Sequence, residues 1–182
     1  MNDKDLRVIK TKKALTSSLY ALLEIESFSS ITVHKICENA GIHRTTFYKH
    51  FYDKYELLVY LLDIIGKNYF AIDIKERINH PFQVLSNSLN RETLSRIEHM
   101  QEEDNEYNKV RNQFLIDIIK NDFYENMDRI ALEETIPKSL VFYVFGSIIG
   151  GFLEWQKNEE TLLTPKEMDE VFHKLVNIKT IN

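Results

Sequence analysis

With 182 residues, 43% of them hydrophobic and 28% charged, the chain is long enough to bury one substantial core, or a small head on a larger body, and has the composition of an ordinary globular protein. Only five Gly and three Pro interrupt it, which leaves room for few turns and predicts an all-α fold of about nine helices. A single cysteine, Cys37, excludes an intrachain disulfide and a multi-cysteine metal site. The net charge of −5 hides an asymmetry. Residues 1–56 carry nine Lys and Arg against seven Asp and Glu, net +2, and the remainder 14 against 21, net −7. A locally basic head on an acidic body still attracts phosphate.

In chain order, Met1 to about Lys13 reads as a polar, basic arm without the apolar core of a secretory signal, so the expected location is the cytoplasm. A first helix follows, with Leu15, Leu19, Leu22 and Leu23 on one face. Ser27 to Ile31 breaks it, and Thr32 stands where a helix cap belongs. Val33, Ile36, Cys37 and Ala40 form the single apolar stripe of a short second helix, which Gly41 ends as the natural residue for a left-handed turn. The next segment, His43 to Phe51, has only Phe47 and Phe51 as apolar positions and is otherwise polar. Asp53 and Glu56 form an Asp-x-x-Glu capping box for a fourth helix bearing Leu57, Leu58, Leu61, Leu62 and Ile65.

Two short helices joined by a tight glycine turn, the second polar on its outer side, have the layout of a helix-turn-helix. Its second helix enters the major groove, where bases display distinct donor and acceptor patterns. Arg44, Thr45 and Thr46 lie at the leading end of that helix, and Tyr48, Lys49 and His50 one turn further, suited to phosphate oxygens. Phe47 and Phe51 are read as core and Cys37 as a small buried hydrophobe. His34, His43 and His50 do not share a spacing that closes a metal site on one helix.

The run Ile31-Thr-Val-His-Lys-Ile-Cys-Glu-Asn-Ala-Gly-Ile-His-Arg-Thr-Thr-Phe-Tyr-Lys-His-Phe51, followed by Asp53-Lys54 and Glu56-Leu57-Leu58, resembles the tetracycline-repressor (TetR) family of transcriptional regulators over roughly the first third of the chain. The resemblance implies a helix-turn-helix head, residues 1–56, and a ligand-sensing and dimerising body, residues 57–182. It also implies that Thr32 caps the second helix and touches a phosphate. Arg44 and Thr45 would face base edges, Thr46, Tyr48 and His50 would position the DNA backbone, and Lys54 would hold a phosphate at the start of the fourth helix. Ser27 stands where the family usually has Gly, His43 where Ser is common, Tyr52 where Pro is common and Tyr55 where Glu is common. His43 and Thr45 leave the operator sequence open.

In the body, Pro81 opens a helix, Glu102-Glu103-Asp104-Asn105-Glu106 reads as a solvated loop or frayed end, and helical spacing resumes from Tyr107 and again from Asn121. Pro137 starts a long helix to about Gln156, and Thr164-Pro165-Lys166-Glu167 combines a cap, a proline at the first helical position and the capping-box Glu. The stretch Leu140–Leu153 is shorter than the roughly 20 residues that cross a bilayer and reads as a buried helix, so no membrane partner is expected. Residues 138–157 are apolar nearly all round, which asks for cover on every side. A partner subunit is one cover. Gly146 and Gly150 permit close helix approach, either to a partner or within the chain. Gly146, Ile149, Gly150, Leu153, Val171 and Leu175 are the expected homodimer interface, with Val176 and Ile178 on the last helix beside them. Phe114, Ile118, Phe142 and Phe145 are the expected lining of a pocket for a small apolar effector.

The function expected is that of a dimeric repressor of a pseudo-palindromic double-stranded operator, released by that effector. The alternative is a TetR-like co-regulator acting through protein docking. No nucleophile–base pairing, glycine-rich phosphate loop or metal cluster stands in the sequence, so neither enzyme activity nor a cofactor is expected.

Overall fold

Val8, Leu15, Leu19, Leu22 and Leu23 are buried on one face of α1, which runs Leu6–Leu23. The helix therefore begins well before Lys13, and the expected basic arm is largely its first turns. Val8, seven residues ahead of Leu15, continues the inner stripe, while Lys10 and Lys13 occupy the outer face, where lysine favours a helix. The chain is described here by a computed structural model covering residues 6–88, 91–131, 135–157, 162–176 and 179–180.

A 3-10 turn at Phe28–Ser30 separates α1 from α2 (Val33–Ala40). The Ser18 hydroxyl donates to the Ile36 carbonyl at 2.8 Å and accepts from the Asn39 amide at 3.1 Å, which fixes α1 to α2. After α3 (Arg44–Phe47) comes α4 (Lys54–Phe70). Its capping box is displaced by one residue at its return bond. Asp53 accepts from the Glu56 amide at 2.8 Å, but the Glu56 carboxylate takes the amide of Tyr52. Then follow α5 (Ile74–Asn79), α6 (Pro81–Ser88), α7 (Arg91–Met100), α8 (Asn105–Glu125), α9 (Lys138–Lys157) and α10 (Pro165–Leu175). The apolar spacings from Tyr107 and from Asn121 belong to one helix, α8. The complete capping box of Thr164 and Glu167 opens α10 as read. The only strands among the described residues are two residues each: β1 (Ile130–Ala131) pairs antiparallel with β2 (Lys179–Thr180), too short for any alternation to signal. The fold is all-α.

The chain divides into two compact units, one of residues 1–65 and 91–114, the other of residues 66–90 and 115–182. As a packing unit the head is thus larger than residues 1–56: it extends along α4 and takes in α7 and the first half of α8. Its core joins Leu15, Leu19 and Leu23 to Phe28, Ile36, Phe47, Phe51, Leu57 and Leu58, with Ile97 and Tyr107 from the later segment. The second unit is built on phenylalanine: Phe145 lies 5.1 Å from Phe123 and 5.8 Å from Phe172, and Phe82 lies 5.0 Å from Phe152, ring centre to ring centre. Two buried ionic side chains brace it. Asp169 accepts the Phe82 amide at 2.8 Å and so ties α10 to the start of α6. Arg77 grips both oxygens of Asp122 and donates from Nε to the Ile72 carbonyl at 2.8 Å, tying α5 to α8.

Candidate nucleic-acid interface

The candidate surface is made by the local stereochemistry of residues 32–51. Thr32 is extended, and its Oγ1 accepts the Lys35 amide at 3.2 Å, satisfying one of the orphan donors of α2. That bond uses a lone pair and leaves the hydroxyl proton to be donated. Gly41 ends α2 at φ 64° and ψ 30°, the left-handed region that only glycine enters without steric cost. The Ile42 amide then reaches the Cys37 carbonyl at 2.9 Å, and the chain reverses into α3. Burial pushes the Cys37 thiol pKa up, against the smaller pull of Arg44, so it stays a neutral core group.

Regular α geometry in α3 covers only Arg44–Phe47, shorter than the His43–Phe51 segment read from sequence. Helical turns continue it: the His50 and Phe51 amides both bond to the Phe47 carbonyl, at 2.9 and 3.0 Å. Phe47 and Phe51 are buried, 5.8 Å apart, and Phe51 meets Tyr60 of α4 at 5.4 Å. These rings hold the inner side of the segment. On the outer side Arg44, Thr45, Tyr48 and Lys49 are exposed, with Thr46 and His50 half-buried. The His50 Nδ1 is shielded and has no hydrogen-bond partner among the described residues. Tyr52, singled out in the sequence only as a departure, is 84% exposed at the same end.

Lys54 behaves differently. Its ammonium donates to the carbonyls of Phe28 at 2.8 Å and Ser29 at 3.2 Å, lies 3.3 Å from Glu106, and sits 4.5 Å from the centre of the Phe28 ring. It is built into the head's own framework. Phe28 and Ser29 belong to the turn before α2, and Glu106 to the acidic run read as a solvated loop or frayed helix end, which is a turn leading into α8. Gln101 is fully buried: its Oε1 accepts the Phe28 amide at 2.8 Å and its Nε2 donates to the Leu23 and Glu26 carbonyls, both at 2.8 Å. Asp104 accepts the Ser29 amide at 2.7 Å and caps α8 through the Tyr107 amide at 2.9 Å. Of the acidic run Glu102, Glu103, Asn105 and Glu106 face solvent and only Asp104 is buried. The Asp104 cap was a signal available in the sequence. The partner of Gln101, 73 residues away, was not.

The other expected residues fall as follows. Phe114 is half-buried in the first unit; Ile118 is half-buried and Phe142 and Phe145 are buried in the second. On α9, Val141, Phe142 and Phe145 are buried in the core, whereas Leu140, Tyr143, Val144 and Trp155 are 42–52% exposed. Gly146 packs inward, with Ile119 3.8 Å from where a Cβ would stand, while nothing lies within 4 Å at Gly150 or Gly151. Ile149 packs against the second core, Val171 is half-buried and Leu175 is 70% exposed. The Leu153 side chain and Ile178 lie outside the described residues. No group of residues that could hold a metal ion is found among those described, and no helix there is long and apolar enough to cross a membrane.

Neither a protein-family model nor a curated protein matches the sequence. Solved structures do match over nearly the whole chain. A TetR transcriptional regulator from Streptococcus agalactiae has a TM-score of 0.64 at 21% identity, covering 95% of this chain and 97% of its own. A TetR-family regulator from Syntrophomonas wolfei has 0.60 at 18%, covering 91% and 94%. NalD of Pseudomonas aeruginosa, the secondary repressor of the MexAB-OprM multidrug efflux pump, has 0.56 at 18%, covering 93% and 94%. The fold is therefore that of the TetR-type transcriptional regulators, from the helix-turn-helix head through to the last helix.

Proposed function

We propose that the chain is a sequence-specific DNA-binding transcriptional regulator that acts as a homodimer on a pseudo-palindromic operator and represses until a small apolar effector releases it. The observation that carries the reading is the α3 segment, whose inner rings are locked into the core while Arg44, Thr45, Tyr48 and Lys49 stand free on the outside. A rigid scaffold presenting an arginine and a row of hydroxyls is what direct base readout and phosphate positioning require. Thr32, Thr46 and His50 flank that row as backbone contacts. Lys54 joins them only by exchanging Glu106 for a phosphate oxygen.

The exposed apolar stripe of α9, Leu140, Tyr143, Val144 and Trp155, with the bare Gly150 and Gly151, is the proposed dimer face, and Leu175 of α10 extends it. Reading a pseudo-palindromic operator requires the two recognition segments of such a dimer to sit about 34–36 Å apart, one turn of B-DNA. Ile118, Phe142 and Phe145, all in the second unit, remain the proposed effector-responsive residues; Phe114 lies in the first unit. Native mass spectrometry tests the assembly. A dimer that takes up one selected duplex per two chains is expected; a monomer, or a dimer that ignores every duplex, would favour a co-regulator working through protein contacts.

A further inference from the structure

Lys54 gives the head a cation whose position is fixed. An ammonium has three N–H donors. Here two of them meet the Phe28 and Ser29 carbonyls, at 2.8 and 3.2 Å, and the Glu106 carboxylate lies 3.3 Å from the same nitrogen. The rings of Phe28 and Tyr55, with centres 4.5 and 5.3 Å away, close it in further. The side chain of Lys54 is 14% exposed and that of Glu106 45%. The lysine is thus tied to the turn between α1 and α2, and the glutamate is the partner that solvent reaches.

Glu106 stands in the first turn of α8. One of its oxygens serves both neighbours: it accepts from the Tyr55 hydroxyl at 2.9 Å and pairs with the Lys54 charge. A phosphate oxygen asks the same of an ammonium as a carboxylate oxygen does, a charge-assisted hydrogen bond. The two anions compete for the one donor that the carbonyls leave. Lys54 cannot turn to a phosphate elsewhere without abandoning the partly buried Phe28 carbonyl. A phosphate must therefore come to Lys54 where it stands, and Glu106 must leave. Thr32, the proposed phosphate contact of α2, follows Ser29 by three residues, at most about 11 Å of chain, so a DNA backbone drawn to Thr32 passes close to the contested donor.

We infer that Glu106 is a built-in phosphate mimic, which lowers the head's affinity for any DNA duplex by occupying Lys54 in the free protein. The inference rests on the proposed DNA-binding function and adds to it a residue that acts through Lys54 without touching DNA. Its cost is the same for every sequence, because it opposes a backbone contact and not a base contact. The exchange also marks the salt dependence. A lysine that meets a phosphate releases a counterion from the DNA. In the wild type the displaced carboxylate takes a cation up, so release and uptake largely cancel at this position.

The test uses the full chain and a fluorescently labelled random-sequence duplex, with dissociation constants read by anisotropy from about 50 to 200 mM salt. Glu106→Gln removes the charge at an exposed position and keeps an acceptor for the Tyr55 hydroxyl, so the fold is preserved. Binding at least about threefold tighter is expected, the order of a partly exposed ion pair. Its salt slope should steepen by about 0.9, the value for one more phosphate neutralised without compensation. Glu103→Gln makes the same change of net charge at an exposed position three residues earlier. It should tighten binding by less than about twofold and leave the slope as it was. A wild type that binds no duplex overturns the proposed function and this inference with it. A wild type that binds, with Glu106→Gln no tighter than Glu103→Gln or with an unchanged slope, overturns this inference alone.

Discussion

Replacing Gln101 by Leu keeps a side chain of similar size but removes every polar atom from a fully buried position. The Phe28 amide loses its 2.8 Å acceptor and the Leu23 carbonyl its 2.8 Å donor, both in buried surroundings, while the Glu26 carbonyl is partly exposed and recovers a water. Each buried orphan costs about 1–3 kcal/mol, less whatever the leucine gains by burial, so the expected destabilisation is roughly 2–4 kcal/mol. Urea unfolding followed by circular dichroism measures it, and hydrogen exchange at the Phe28 amide locates it in the turn between α1 and α2. Glu103→Leu, two residues on and exposed, serves as the control and should change little. A Gln101→Leu protein as stable as the wild type within about 0.5 kcal/mol, with Phe28 still protected, would refute the claim that residues 101–104 belong to the head.

Gly41→Ala meets no atom within 4 Å, so its cost is conformational alone, about 1–2 kcal/mol for a left-handed φ, read as a lowered melting temperature. Gly150→Leu also meets open space within its own chain. It should leave helicity and the monomer fold intact while abolishing the dimer in sedimentation; a stable dimer would move the interface off this part of α9. For Asp104, burial raises the pKa but the amides of Ser29, Tyr107 and Glu106 outweigh it and hold the carboxyl below its usual value. A depressed folded pKa gives stability that is present above the unfolded pKa and lost as pH falls through the folded one. Acid unfolding below about pH 4 should therefore be shallower in Asp104→Asn than in the wild type.

The head was legible because its pattern is local. Val33, Ile36, Cys37 and Ala40 mark α2 by spacing, Thr32 and Gly41 mark its ends by stereochemistry, and Phe47 and Phe51 are the only apolar residues available to anchor α3. The start of α1 was missed because a run of lysines reads as solvated, although lysine stems lie comfortably on a helix and Lys12 rests against Tyr60. Gln101 and Asp104 were missed for another reason. They are polar residues buried by partners more than 70 positions away, and no periodicity records a long-range hydrogen bond. The Lys54 contacts to Phe28, Ser29 and Glu106 are likewise long-range and left no mark in the sequence pattern. On α9 the composition announced an apolar surface all round, but only packing distinguishes the side facing Phe123 and Phe172 from the side left open.

The most direct test is selection from a pool of random DNA duplexes by the wild-type protein and by Arg44→Ala, followed by sequencing of what is retained. The expected result is a two-fold-symmetric sequence enriched by the wild type, with discrimination at the Arg44-read position lost in the variant, a difference of about 1–3 kcal/mol for a bidentate base contact. Retention of no preferred sequence by the wild type, or the same sequence with the same strength by both proteins, would contradict the assignment of the α3 face as the DNA-reading surface.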